Sequence, residues 1–143
     1  MIPISPLWSR ASQAPCAALE ASPIRVLVVE DDLMVGAVAG EALEEVGFVV
    51  LIAASAEEAE IVLGQEVIDV LFTDIDLGGR DGCDLAYRAL KARPDLPVVL
   101  ASGRSRRCHA GRIPAGAAFL AKPYRLSHMI DELHRAVQGR AIS

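Results

Sequence analysis

The chain has 143 residues, enough for one domain with a buried core and too few for two of ordinary size. Apolar residues make up 52% and aromatics only 4%, which suits a core of Val, Leu, Ile and Ala in a sheet covered by helices on both faces. The net charge of −5 disfavours non-specific contact with nucleic acid, and no apolar run is long enough to span a bilayer, so neither nucleic acid nor membrane is an expected partner.

Residues 1–23 hold Pro3, Pro6, Pro15 and Pro23, much Ala and Ser, and no hydrophobic period. They lack the basic start and continuous apolar stretch of a signal peptide, and read as a mobile tail. One domain is expected over residues 24–140, with no output domain in the few residues beyond it. Val26 to Val29 is a short apolar strand, after which Val35, Val38, Ala39, Ala42, Leu43 and Val46 recur at helical spacing. Gly47 stops that helix, and Phe48 to Ala53 forms a second strand. Ser55 caps the next helix, with Glu58 completing a capping box and Ala59, Val62 and Leu63 on the inner face. A third strand ends at Asp74, and a third helix runs from about Cys83 to Ala92, before Pro94. Val98 to Ser102 and Ala117 to Ala121 are the remaining strands. Leu126, Met129, Ile130, Leu133 and Val137 mark a last amphipathic helix. Between Ser102 and Ala117 lie Gly103, Gly111, Pro114, Gly116 and four arginines, with no apolar stripe; a short or irregular fourth helix is expected there.

Five strands alternating with helices predict an α/β fold: a parallel sheet with right-handed crossovers and helices on both faces. In open parallel sheets ligands bind beyond the carboxyl ends of the strands. Glu30, Asp31 and Asp32 follow the first strand, Asp74 closes the third, Ser102 the fourth, and Lys122 follows the fifth. Under the order 2-1-3-4-5, one of the two common doubly wound arrangements, Glu30 and Asp31 fall beside Asp74. Clustered carboxylates repel and call for a cation. With oxygen donors alone, a hard ion such as Mg²⁺ or Mn²⁺ suits better than zinc. A carboxylate can attack phosphorus to form an acyl phosphate, whose oxygens need a point charge and a donor; Lys122 and Ser102 offer these.

Each residue also has a plainer reading. The acidic trio could be a solvated turn capping the first helix, Asp32 being the natural cap. Asp74 and Ser102 could be turn residues and Lys122 a surface lysine. His128 and His134 read as solvated positions on the last helix, and Arg104, Arg106, Arg107 and Arg112 as a flexible basic loop. Cys16, Cys83 and Cys108 are odd in number without metal-ligand spacing, and read as reduced thiols of a cytoplasmic protein.

Taken in order, these residues resemble the receiver domain of two-component response regulators. Val28-Val29-Glu30-Asp31-Asp32 resembles the family's acidic strand end, Phe72-Thr73-Asp74-Ile75-Asp76 its phosphoacceptor strand, Ala101-Ser102-Gly103 its switch hydroxyl, and Lys122-Pro123 its lysine–proline pair. The resemblance implies a flavodoxin-like fold and a phosphorelay role, with Asp74 phosphorylated by a sensor histidine kinase or a histidine phosphotransfer protein. It implies Mg²⁺ held by Asp31, Glu30 (through water), Asp74 and the backbone carbonyl of Asp76. Ser102 and Lys122 would hold the phosphoryl group, Phe119 would be the switch aromatic, and the bond before Pro123 would be cis. Output would pass to an unidentified downstream protein.

Three features depart from that pattern. Gly78 and Gly79 stand where a proline is usual, the stretch from Ser102 to Lys122 is about two residues short, and the aromatic is Phe, without a hydroxyl. The wording around Pro94 to Ser102 and Phe119 to Arg125 is closer to receivers of hybrid kinases than to those joined to DNA-binding domains. Two other functions compete. Asp74-Ile75-Asp76 also resembles the nucleophile motif of haloacid-dehalogenase-type phosphatases, though that motif belongs on a first strand. A pseudo-receiver that only binds partners would need no complete acid, hydroxyl and lysine set.

Overall fold

The structure is a computed structural model that describes residues 22–142. The tail reading for most of residues 1–23, and Cys16 with it, lies outside the described residues. Five parallel strands form one sheet in the order β2-β1-β3-β4-β5. They are β1 (Arg25–Val29), β2 (Val49–Ala53), β3 (Val70–Asp74), β4 (Val98–Ser102) and β5 (Ala118–Ala121). The helices are α1 (Leu33–Glu45), α2 (Ala56–Gln65), α3 (Gly82–Ala92) and α4 (Leu126–Ile142). Between β4 and β5 a single 3-10 turn, Arg106–His109, replaces a full crossover helix, as the missing apolar stripe predicts.

Side chains alternate across the strands, so each face of the sheet meets its own pair of helices. On one face Leu27, Val29, Leu71 and Leu100 pack with Ala56 and Ala59 of α2 and Leu85 and Ala86 of α3. On the other, Val26, Val28, Val70, Phe72 and Val99 pack with Ala39 and Leu43 of α1 and Met129 and Leu133 of α4.

The helix starts follow local chemistry. Asp32 accepts from the backbone N–H groups of Met34 and Val35, at 3.0 and 3.2 Å, as the cap of α1. Ser55 accepts from Glu58 N–H at 3.1 Å, and the Glu58 carboxylate reaches back to Ala54 N–H at 2.9 Å, one residue before the cap. Asp81 caps α3 by accepting from Cys83 N–H at 2.6 Å.

One element sits differently from its sequence pattern. The buried positions of α1 are Gly36, Ala39, Gly40 and Leu43, while Val35, Val38 and Val46 are exposed. The glycines explain the rotation. A Cβ on Gly40 would lie 3.2 Å from Ile52 Cδ1, so the helix turns its smallest face to the sheet and leaves its valines outside. Among the described residues no helix is long and apolar enough to cross a membrane.

Candidate functional site

Strand register assembles the site. Val29 pairs with Thr73, so Glu30 and Asp74 follow on neighbouring strands. Asp74 pairs with Ala101, which puts Ser102 one step further along β4. Ser102 pairs with Ala121, and Lys122 N–H donates to the Ser102 carbonyl at 2.9 Å. Thus Glu30, Asp31, Asp74, Ser102 and Lys122, far apart in sequence, meet at the carboxyl rim of the sheet.

Glu30, Asp31 and Asp74 each offer one carboxylate oxygen, all within 4.8 Å of one another. Lys122 Nζ stands 3.1 Å from Asp74 Oδ1 and 3.4 Å from Glu30 Oε1. Both Glu30 and Asp74 are buried, whereas Asp31 faces solvent. Burial and the neighbouring Asp74 charge push the Glu30 carboxyl above its ordinary pKa. Burial likewise raises Asp74, with Asp76 and Asp31 adding to the rise and Lys122 opposing it. Burial works to lower the Lys122 ammonium, but Asp74 and Glu30 outweigh it, and its pKa stands above the ordinary value.

Asp74 Oδ1 is buried without an aligned hydrogen bond, Lys122 Nζ standing 3.1 Å away. An under-satisfied carboxylate oxygen inside a group of three suits a hard cation better than any further protein donor. The acidic pocket therefore fits a divalent ion.

Other expected residues are placed as follows. The Asp76 carboxylate stays outside the group of three and pairs with Arg104 at 2.8 Å, while its other oxygen lies 3.3 Å from the Ser102 hydroxyl. Phe119 is half-buried against the α2–α3 side of the core. The Lys122–Pro123 peptide is cis. His128 is exposed beside Glu132, but His134 is half-buried with its ring 5.0 Å from that of Phe48, which corrects its reading as a solvated position.

Three features escape a reading of the sequence. His109 is fully buried and its Nε2 lies 2.9 Å from Ser102 Oγ. Two of the four loop arginines are tied down rather than free, Arg104 to Asp76 and Arg112 to Asp81. Gly82 approaches the end of β3 so closely that a Cβ there would overlap the Asp74 carbonyl oxygen. The Asp81-Gly82 pair at a helix start was the one available signal for this last contact.

A parallel sheet of this order, with carboxylates, a hydroxyl and a lysine along one rim, defines a class of phosphoryl-signalling domain. The family model "Response regulator receiver domain" matches residues 26–134, and the chain belongs to that family. It is 32% identical over 125 residues to the C4-dicarboxylate transport transcriptional regulatory protein DctD of Rhizobium meliloti, covering 82% of this chain and 26% of that protein. It is 35% identical over 134 residues to the sensor kinase CckA of Brucella abortus, covering 84% of this chain and 14% of the kinase. The chain thus spans only a minor part of both relatives. A crystal structure of a CheY-like receiver domain protein from Methanospirillum hungatei superposes with a TM-score of 0.79 at 26% identity, covering 84% of this chain and 98% of that one. Receiver domains are signalling modules of two-component systems, and this one has the fold and the acidic pocket of its family.

Proposed function

We propose that Asp74 accepts a phosphoryl group from a phosphohistidine of a sensor kinase or phosphotransfer protein. The observation that carries this is the state of Asp74: a buried carboxylate at a strand end, with one oxygen lacking an aligned donor and Lys122 Nζ 3.1 Å away. A carboxylate oxygen of Asp74 attacks phosphorus, the P–N bond breaks, and the imidazole leaves with the bonding pair and takes up a proton. Lys122 stands where it can pair with the incoming phosphoryl oxygens, and the Ser102 hydroxyl can donate to them. Glu30, Asp31 and Asp74, with the backbone carbonyl of Asp76, would hold Mg²⁺ or Mn²⁺, which supplies positive charge against carboxylate repulsion and phosphoryl charge.

A donor protein has a surface to meet. Met34, Val35, Val38 and Leu126 line an open apolar groove of about 640 Å³ that shares Lys122 and Pro123 with the site. Phosphorylation replaces the single negative charge of Asp74 with one of about −2 near Ser102, and the movement of Ser102 and Phe119 alters the face that a downstream protein reads. The domain acts as a switch and turns over no small-molecule substrate. The test is intact-mass measurement after incubation with a small phosphodonor and Mg²⁺. One phosphoryl group is expected on the wild type and none on Asp74→Asn or on the wild type with excess chelator. An unlabelled wild type would leave the pseudo-receiver reading in its place.

A further inference from the structure

The most unusual side chain outside the acidic pocket is His109. It lies in a stretch of exposed arginines, yet none of its surface reaches solvent. It anchors the 3-10 turn that stands in place of a crossover helix. Its ring is 6.3 Å from that of Phe119, centroid to centroid, and its Nε2 lies 2.9 Å from Ser102 Oγ.

One arrangement of protons satisfies all the contacts around these two residues. Arg112 faces Nδ1 of the imidazole at 3.5 Å. A guanidinium carries donors alone, so this contact favours a lone pair on Nδ1 and the ring proton on Nε2. His109 then donates to Ser102 Oγ. Arg104 N–H donates to the same oxygen at 3.0 Å. A serine hydroxyl has two acceptor lone pairs and one proton. With both lone pairs filled, the proton has a single direction left, toward Asp76 Oδ2 at 3.3 Å, whose negative charge is felt at Asp74.

We propose that the buried imidazole of His109 is a positioning residue for the phosphoryl-transfer site: it fills the second lone pair of Ser102 and so aims the hydroxyl proton away from the ring, toward the Asp76 side of the rim that carries Asp74. The hydroxyl is thereby set as a donor on the Asp76 side before a phosphoryl group arrives. Arg112 serves one step behind, by fixing the tautomer of the ring, and is itself held by Asp81 at the cap of α3. The chain Asp81–Arg112–His109–Ser102 thus links the start of α3 to the reacting rim.

This inference rests on the assignment of Asp74 as the phosphoacceptor, so the experiment has an arm that does not. In the unphosphorylated wild type, long-range ¹H–¹⁵N correlation of the His109 ring is expected to show the proton on Nε2. A proton on Nδ1 overturns the proposal whether or not Asp74 is ever labelled. In the second arm, labelling by a small phosphodonor with Mg²⁺ is timed for wild type, His109→Leu, His109→Gln, Ser102→Ala and the double variant Ser102→Ala/His109→Leu. His109→Leu, which fills the space without a donor, is expected to label about tenfold more slowly, less than the roughly 10²–10³-fold typical for losing such a donor outright. His109→Gln keeps an N–H donor and is expected to return to within about threefold of wild type. In the Ser102→Ala background, His109→Leu is expected to change the rate by less than twofold, because the hydroxyl it orients is gone. Equal slowing by Leu and Gln, or a full additional loss in the double variant, would assign His109 to packing alone. A wild type that shows the Nε2 proton but takes no label would remove the phosphoacceptor reading and leave the hydrogen-bond assignment standing.

Discussion

Gly82 offers a test in which two physical effects predict opposite signs. It is the first residue of α3, where Gly→Ala is intrinsically favourable by up to about 1 kcal/mol. Sterics say otherwise. A Cβ there would overlap the Asp74 carbonyl oxygen and stand 2.9 Å from Ile75 Cα and 3.0 Å from the Asp74 carbonyl carbon. Comfortable carbon–carbon contact begins near about 3.5 Å, so the two backbone segments must part by roughly 0.5 Å or more. None of these atoms is the free end of a flexible side chain, and Gly82 N–H is pinned to the Ile75 carbonyl at 2.8 Å. Forced overpacking of this kind costs about 1–3 kcal/mol, which exceeds the propensity gain. Gly82→Ala should therefore be destabilised by about 1–2 kcal/mol, lowering Tm by about 4–8 °C or more. Gly64, in α2 with open space where its Cβ would be, is the control. Gly64→Ala should gain roughly 0.5–1 kcal/mol by the same propensity. Urea and thermal unfolding of both variants decide the matter. A Gly82→Ala protein as stable as wild type would show that α3 does not press on the Asp74 backbone as described.

The charge cluster makes three further predictions. Glu30 and Asp74 have raised pKa values in the folded chain, so between the unfolded and folded values the folded state holds protons that the unfolded state has released. Stability then falls as pH rises through that window. Asp74→Asn should accordingly be more stable than wild type at neutral pH, by on the order of 1 kcal/mol, with the difference closing as pH falls toward about 4; a wild type that is the more stable at neutral pH contradicts the assignment. Lys122→Met removes the cation from between two buried carboxylates and should destabilise by about 1–3 kcal/mol in denaturant titrations while leaving Mg²⁺ binding intact; unchanged stability would show that the ion contacts carry no weight. Mg²⁺ at a hundred times its dissociation constant should raise the unfolding free energy by about 2.7 kcal/mol, and Asp31→Asn/Glu30→Gln should abolish most of that gain in thermal melts. An equal gain in the double variant would place the ion elsewhere.

The site was legible in sequence because each of its members ends or directly follows an apolar run. Glu30, Asp74, Ser102 and Lys122 could be placed by strand boundaries alone, and parallel pairing brings such ends to one rim. The weak segment was legible as well, since its glycines, proline and arginines leave no apolar stripe for a crossover helix. The orientation of α1 was not. Its valines outline a helical stripe, but sheet contact is decided by closest approach, and Gly36 and Gly40 let the backbone come nearer than Val35 or Val38 could. His109 was hidden for a related reason. Nothing local distinguishes a histidine among arginines; its burial depends on Ser102 from β4 and Phe119 from β5, which only the folded chain brings to it. The contact of Gly82 with Asp74 likewise joins two residues whose nearness comes from the turn between β3 and α3.

The central claim is that one carboxylate among several acquires the phosphoryl group, and locating the modification tests it most directly. Protein labelled in the presence of Mg²⁺ is reduced with borohydride, which converts an aspartyl phosphate to a stable alcohol, then digested and mapped by mass. The account predicts the change at Asp74, with Asp31, Asp76 and Asp81 unaltered. Modification at any of those three, or on a histidine, with Asp74 intact would contradict it.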